Sequence, residues 1–324
     1  MNVLLIGPGK IGIEYFHVLQ GLEVPKISVV GRSRESSEVF FEKTGCRPHL
    51  DDLDIVFANN RGDFDAAIVA VNVEELFSCT KKLIANGVRR ILVEKPAAVT
   101  AFEIDELSKM AEERSVSIWV GYNRRFYSSV RELRRRIVEE GGLLSFHFDF
   151  TEWIHTVVPT ISHKGVLDNW LFANSSHVID LAFHLGGEPR TLQSMVAGSL
   201  EWHPTASRFV GSGRSHEGSL FSYHANWESP GRWGLELCTR QSRYILRPLE
   251  KLHRQRHKSI TIEEVQLDDT LDRSFKPGLF LQVKTFLSES PNTSNLISLA
   301  EHNKRVKSIY LPMLGRSFGD RDAL

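Results

Sequence analysis

The sequence predicts an α/β chain in two parts: a doubly wound parallel sheet over residues 1–122, then an α+β part over residues 123–324 with an antiparallel or mixed sheet. Three observations carry this. Apolar runs alternate with helix-like stretches as far as Gly121, the pattern of a parallel sheet covered on both faces. Beyond it, strand-like runs follow one another with only one clear helix among them, which argues for antiparallel neighbours. A glycine turn, Gly7-Pro8-Gly9-Lys10-Ile11-Gly12, stands between the first apolar run and the first helical pattern.

Residues 2–7 read as a buried strand and residues 10–22 as a helix with apolar side chains at helical spacing. Strands at 27–30, 66–71, 90–93 and 117–120 alternate with helices near 74–86 and 101–114. An amphipathic helix at 128–140 opens the second part, and its four arginines between Arg131 and Arg136 form a solvated face. Strand character then marks 143–153, 191–197, 219–227, 234–239 and 259–265, interrupted by a helix at 169–185. The glycine- and serine-rich stretches 211–218 and 229–232 read as mobile surface connections able to close on a substrate. The basic stretch 252–258 lacks an aromatic residue on which a base could stack and reads as an exposed turn.

Composition narrows the partners. Lys plus Arg equals Asp plus Glu at 40 each, so no net field draws the chain to nucleic acid or an anionic membrane, and a small molecule is expected instead. The opening apolar run is too short for a membrane span and lacks a signal peptide's charged start, so the chain is read as cytoplasmic. The three cysteines, Cys46, Cys79 and Cys238, are far apart and read as buried free thiols. The 13 histidines show no metal-ligand spacing, and no metal is expected.

The glycine turn has the GxGxxG form of a dinucleotide site. Gly7 ends a strand, Gly9 allows close approach of a pyrophosphate, and Gly12 allows the helix to pack closely. The helix start at Lys10 and Ile11 presents N–H groups and a partial positive charge to phosphates. After the second strand, where an NAD site usually places an acid, the chain reads Gly31-Arg32-Ser33-Arg34. Two guanidinium groups flanking a hydroxyl suit a 2′-phosphate, so NADP is expected, with NAD as the alternative. Val71 and Asn72, at the end of the third apolar run, and Glu94 and Lys95, at the end of the fourth, complete the expected cofactor site.

Glu94-Lys95-Pro96 follows a strand at the carboxyl edge of the expected sheet. A lysine there can hold a substrate hydroxyl and shuttle its proton, with Pro96 fixing the backbone. Together with the glycine turn, Gly121-Tyr122-Asn123-Arg124-Arg125-Phe126 and Ser175-Ser176-His177-Val178-Ile179-Asp180, this order of segments resembles the Gfo/Idh/MocA oxidoreductase family over nearly the whole chain.

The resemblance implies a Rossmann domain joined to a domain with an open mixed sheet, and a homodimer or homotetramer formed through that sheet. It implies hydride transfer between a nicotinamide and a hydroxyl or keto group of a sugar, inositol or nucleotide sugar. Lys95 then corresponds to the catalytic lysine and His177 to a general acid or base, a role that imidazole can fill near neutral pH. Tyr122, Asn123 and Arg124 would line the cleft, with Trp153, Lys164, Asn169, Trp170 and Asn174 as further substrate contacts. Asp180 would anchor its helix.

One departure matters. Ala173 stands where many members carry an aspartate four residues before the histidine. Asn174 can orient a hydroxyl but cannot exchange a proton as a carboxylate does. Lys164, Asp168 or Tyr122 are the substitutes the sequence offers, and the alternative reading is a dinucleotide-binding regulatory protein that has lost hydride transfer.

Overall fold

The computed structural model describes residues 1–60, 64–161, 163–288 and 295–319. They form two units. The first comprises Met1–Asn123 and Leu271–Lys304, and the second Arg124–Thr270 with the chain from Arg305 onward. A single boundary at 122/123 did not anticipate the return of 271–304 to the first unit.

In the first unit, β1 (Asn2–Ile6), β2 (Lys26–Val30), β3 (Ala66–Val69), β4 (Arg90–Glu94) and β5 (Ser117–Gly121) lie in the parallel order β2-β1-β3-β4-β5. Ile297–Ser298 joins antiparallel beside β5. Val3 to Ile6, Ala66 to Val69 and Ile91 to Val93 are buried, as expected for strands covered on both faces. The helices are α1 (Lys10–Gly21), α2 (Arg34–Thr44), α3 (Leu53–Asn60), α4 (Val73–Ala85) and α5 (Ala101–Arg114). α1 buries Ile13, Tyr15, Phe16, Val18 and Leu19 as one apolar stripe. α5 starts with a reciprocal cap between Thr100 and Glu103, which satisfies N–H groups that the helix leaves open. The returning helix Leu279–Leu287 packs on α1, and Arg90 ties its end down by donating to the carbonyls of Phe286 and Ser288 at 2.7 and 2.8 Å.

The second unit begins with α6 (Ser128–Glu139) and β6 (Ser145–Asp149), followed by two short helices, α7 (Ile154–Val157) and α8 (Lys164–Asp168). A single π-helical turn, Leu171–Ser175, leads into α9 (Ser176–Gly186). β7 (Pro189–Ala197), β8 (Arg208–Ser215), β9 (Leu220–Asn226), β10 (Gly234–Cys238), β11 (Ser242–Leu246), β12 (His253–Arg256) and β13 (Ile262–Glu264) complete an eight-stranded sheet in the order β13-β12-β11-β10-β6-β9-β8-β7. It is mixed because β6 and β9 run parallel. Its inner face is aromatic: Phe183 of α9 meets Phe146, Phe148 and Phe221 edge-on at 6.0, 5.7 and 5.2 Å, a favoured ring geometry.

Two expectations fail here for physical reasons. Most of residues 211–218 is strand and not a connection, because β8 runs through Gly211 and Gly213 to Ser215 and leaves only 216–218 as the turn. A Cβ at these glycines would come within 2.4 Å of Tyr223 and 2.5 Å of Phe221, so they admit packed rings rather than flexibility. The basic stretch 252–258 is likewise largely strand β12, where Arg254 and Arg256 both bond Glu263 of β13 and offset the basic charge. The cysteines are half-buried rather than buried.

Helix α9 is anchored by charge. Arg125 donates through Nε and Nη2 to the two oxygens of Asp180 at 2.7 and 2.6 Å, and Arg305 Nη1 donates to the same carboxylate at 2.7 Å. Burial pushes the Asp180 carboxyl up, but the two guanidinium groups outweigh it and hold it below the usual carboxylate range. Asp180 therefore anchors the helix through arginine side chains.

Candidate functional site

In the first unit, the strand order reverses at β1, with β2 on one side and β3 on the other. At such a switch point the loops beyond the carboxyl ends diverge and leave a crevice. A cavity of about 370 Å³ lies there, lined by Gly7, Pro8 and Gly9 after β1, Arg32 and Ser33 after β2, and Val71 and Asn72 after β3. The glycines fit their positions for separate reasons. Gly7 has φ +102°, and its Cβ would meet the Ala70 carbonyl oxygen at 2.4 Å. A Cβ on Gly12 would fall 1.9 Å from the Gly7 carbonyl oxygen, so only glycine lets α1 pack against this turn. Gly9 caps α1 without a side-chain bond and has nothing within 4 Å of a built Cβ. Lys10 and Ile11 open α1 directly after this uncrowded position, and first-turn N–H groups have no acceptor within their own helix. These residues fit a dinucleotide.

The far end of the cavity is electrostatically mixed. Arg32 Nη2 pairs with Glu75 Oε1 at 3.0 Å and is 73% exposed, so the pair can open at small cost. Ser33 caps α2 by accepting from Ser36 N–H, while Arg34 is the first residue of that helix. Lys82 is committed to Asp52 and Asp54 at 2.7 and 2.8 Å, and its hydrogen bond holds the Asp52 carboxyl down to about 2. Sequence reasoning missed Glu75, Asp52 and Lys82, which come from helical and loop segments that show no motif.

Lys95 lies half-buried on the turn after β4. Ala97 in that turn has φ +78° and is fully buried, a strained geometry that the surroundings must enforce. The buried His302 supplies part of that enforcement, its Nε2 donating to the Pro96 carbonyl at 3.0 Å. Behind the turn, Tyr15 donates to Glu94 Oε1 at 2.6 Å. Burial raises the Glu94 carboxyl, with the Tyr15 hydrogen bond and the Lys95 charge opposing it. Tyr122 is buried against His302, and Asn123 Nδ2 donates to the Pro277 carbonyl at 2.9 Å. Gln282 accepts from the Tyr122 and Asn123 N–H groups at 3.1 Å. Neither side chain lines the cavity at the glycine turn.

The second unit has its own cavity of about 320 Å³, bounded by Arg124, Glu152, Trp153, Arg232, Trp233 and Glu250 among others. The Arg124 guanidinium sits 5.0 Å above the Trp233 ring, a cation–π contact. His177 is buried, its ring 6.1 Å from that of Trp233. Trp153 is 52% exposed, with its indole N–H donating to the Gly231 carbonyl. Asn174 reaches Glu152 at 2.9 Å.

Other candidates stand outside this cavity. Lys164 is 81% exposed and bonded to Asp168 one turn on, Asn169 donates back to the Gly165 carbonyl, and Trp170 is buried edge-on to Trp202. Trp233 and Glu152 were missed. Among the described residues no group of three or more metal-ligating side chains occurs, and no helix is long and apolar enough to cross a membrane.

Residues 1–122 match the family model described as oxidoreductase family, NAD-binding Rossmann fold. The chain is similar to a myo-inositol dehydrogenase of Streptomyces leeuwenhoekii, 30% identical over 43% of this chain and 41% of that protein. It is similar also to a 4-carboxy-2-hydroxymuconate-6-semialdehyde dehydrogenase of Sphingobium sp., 24% identical over 58% of this chain and 60% of that one. The matched region thus spans about half the length of these curated relatives. The solved structure of a dehydrogenase from Chromobacterium violaceum superposes with a TM-score of 0.75 at 20% identity, covering 98% of this chain and 94% of that one, which shows the shared fold. The likeness to the Gfo/Idh/MocA oxidoreductases is thus carried in sequence by residues 1–122, the NAD-binding Rossmann part.

Proposed function

We propose that the protein is a nicotinamide-dependent dehydrogenase or reductase of a polyol: a sugar, an inositol or a nucleotide sugar. The observation that carries this reading is the switch-point cavity at the glycine turn together with Lys95, held on a strained turn at the carboxyl edge of the same sheet. The relatives support the class, since the Streptomyces protein is a myo-inositol dehydrogenase. When bound, the cofactor supplies a nicotinamide carbon that accepts or returns a hydride. Oxidation of a carbinol also releases a proton. Lys95 holds the reacting hydroxyl and relays its proton, and His177, as the general base or acid, takes that proton up or returns it. Arg124, Trp153 and Asn174 bind the remainder of the substrate. Lys164, Asn169 and Trp170 have weaker support, being engaged with their own helix or core.

For the cofactor we favour NADP, because Arg32 can leave Glu75 for a 2′-phosphate beside Ser33 and Arg34. Glu75 favours the alternative, NAD, since a carboxylate can accept from ribose hydroxyls instead. Arg32→Ala is expected to weaken NADP binding about 10- to 100-fold, the worth of charge-assisted bonds to one phosphate, and to leave NAD nearly unchanged. Thermal shift with each cofactor measures this, and a preference for NAD that survives Arg32→Ala contradicts the NADP assignment. We also favour assembly into a homodimer or homotetramer through the outer face of the eight-stranded sheet, where Met195, Val210 and Leu220 are exposed.

The second reading, a dinucleotide-binding protein without turnover, draws on Ala173. Absorbance at the reduced-nicotinamide band, followed for myo-inositol, D-glucose, UDP-N-acetylglucosamine and an acidic hydroxy compound, separates the two. Turnover of a polyol supports the dehydrogenase. Cofactor binding with no turnover of any substrate sinks it.

A further inference from the structure

The second unit's cavity contains a group that the proposed chemistry leaves unused, the carboxyl of Glu152. Its side chain is 5% exposed, just beyond the end of β6. Ser175 Oγ donates to Oε1 at 2.6 Å and Asn174 Nδ2 to Oε2 at 2.9 Å. These donors flank the start of α9 and the π-helical turn that contains Ala173. The indoles of Trp170 and Trp233 also face this carboxyl as donors, so a ligand hydroxyl would have to share or displace one of these donors. Burial drives the group up to about 7, against the lowering effect of hydrogen bonds from Ser175, Asn174, Trp170 and Trp233.

The surroundings offer complementary chemistry. Arg124, Arg232 and Glu250 share the cavity, and His177 adjoins it through Trp233. Arg124 Nε is a buried donor with no acceptor among the described residues, a state that costs free energy unless a ligand supplies one. The faces of Trp153 and Trp233 are apolar walls of the kind that pack against the C–H face of a sugar ring. A cavity of about 320 Å³ lies at the lower end of small-ligand sites.

We propose that Glu152 determines substrate specificity by bonding a ring hydroxyl of a polyol held in the second unit's cavity, with Arg124 Nε donating to a neighbouring oxygen of the same ring. The proposal rests on the polyol reading above. Glu152 delivers from the end of β6 a carboxyl that the helix lacks at Ala173. The ionised form accepts the hydroxyl hydrogen more strongly than the neutral acid does, so substrate affinity rises as pH increases through the Glu152 transition.

The test is steady-state kinetics of the full chain on myo-inositol and D-glucose between pH 5.5 and 8.5. The wild type is expected to lower its KM about tenfold from pH 6 to pH 8, in proportion to the competent fraction. Glu152→Gln is expected to raise KM at pH 8 by about 10- to 100-fold, to keep kcat within a few-fold and to flatten the pH dependence of KM. Any contribution from His177 remains in both proteins. Asn174→Ala removes a donor to the carboxylate and is expected to move the KM transition to higher pH, which a purely structural role would not do. Cofactor-induced thermal shift reports that the variants are folded. A polyol-active wild type whose KM and pH profile are unchanged in both variants overturns the Glu152 assignment and leaves the polyol reading standing. A wild type that turns over neither polyol nor any nucleotide sugar overturns both.

Discussion

Lys95→Met is expected to lower kcat for polyol oxidation by ~10²- to 10⁴-fold, the usual contribution of a positioned proton-transfer group. The affinity for NADP or NAD should change only a few-fold. The separation follows from where the groups stand. In the proposed site the phosphates would be met by the glycine turn, whereas Lys95 belongs to the turn after β4. Methionine keeps much of the stem volume without the ammonium group, so the buried Ala97 turn and its His302 contact have no reason to rearrange. Cofactor titration by thermal shift and single-turnover absorbance measure the two effects separately. Unchanged turnover in the variant would remove Lys95 from the chemistry.

Asp180→Asn carries the largest expected loss of stability. Arg125 and Arg305 both bond this buried carboxylate, so neutralising it leaves two buried guanidinium groups undercompensated. Breaking a buried ion pair by removing one partner costs about 3–5 kcal/mol. The second unit should therefore unfold at clearly lower urea in the variant. As a control, Lys251→Ala removes an exposed pair with Glu264 and should change stability by less than about 1 kcal/mol. The pH dependence has a definite sign. Because the folded state holds the Asp180 carboxyl below its ordinary value, its contribution is fully present above the unfolded carboxylate range near pH 4. It is lost as pH falls through the depressed folded value. The variant should lack this part of the acid-induced loss.

The parts of the fold legible in the sequence were those with a period. The parallel strands other than β2 are apolar runs bounded by glycine or polar residues, and the glycine turn sits where a close approach excludes a Cβ. The return of 271–304 to the first unit was not legible, because long-range association leaves no local pattern. Gly211 and Gly213 misled for a related reason. A glycine in a strand marks the close approach of Tyr223 and Phe221, which is invisible until the partner strand is known. In the candidate site, Arg124 and Trp153 could be named from their segments, but Glu152 could not. Its signal was present in the alternation of β6. Phe146, Phe148 and Phe150 are buried, and the same parity places residue 152 inward. A charged residue in step with a buried face is the kind of local conflict that marks functional sites.

Hydride transfer from a carbinol carbon to a nicotinamide is the central proposed event, and isotopic transfer measures it directly. Full-length protein is incubated with NADP or NAD and with myo-inositol or D-glucose deuterated at the carbinol carbons, and the reduced cofactor is analysed by mass spectrometry. The expected result is reduced cofactor carrying a single deuterium at the nicotinamide ring, with label transfer strongly diminished in Lys95→Met. Cofactor that binds but takes no deuterium from either polyol or from a deuterated nucleotide sugar would contradict it.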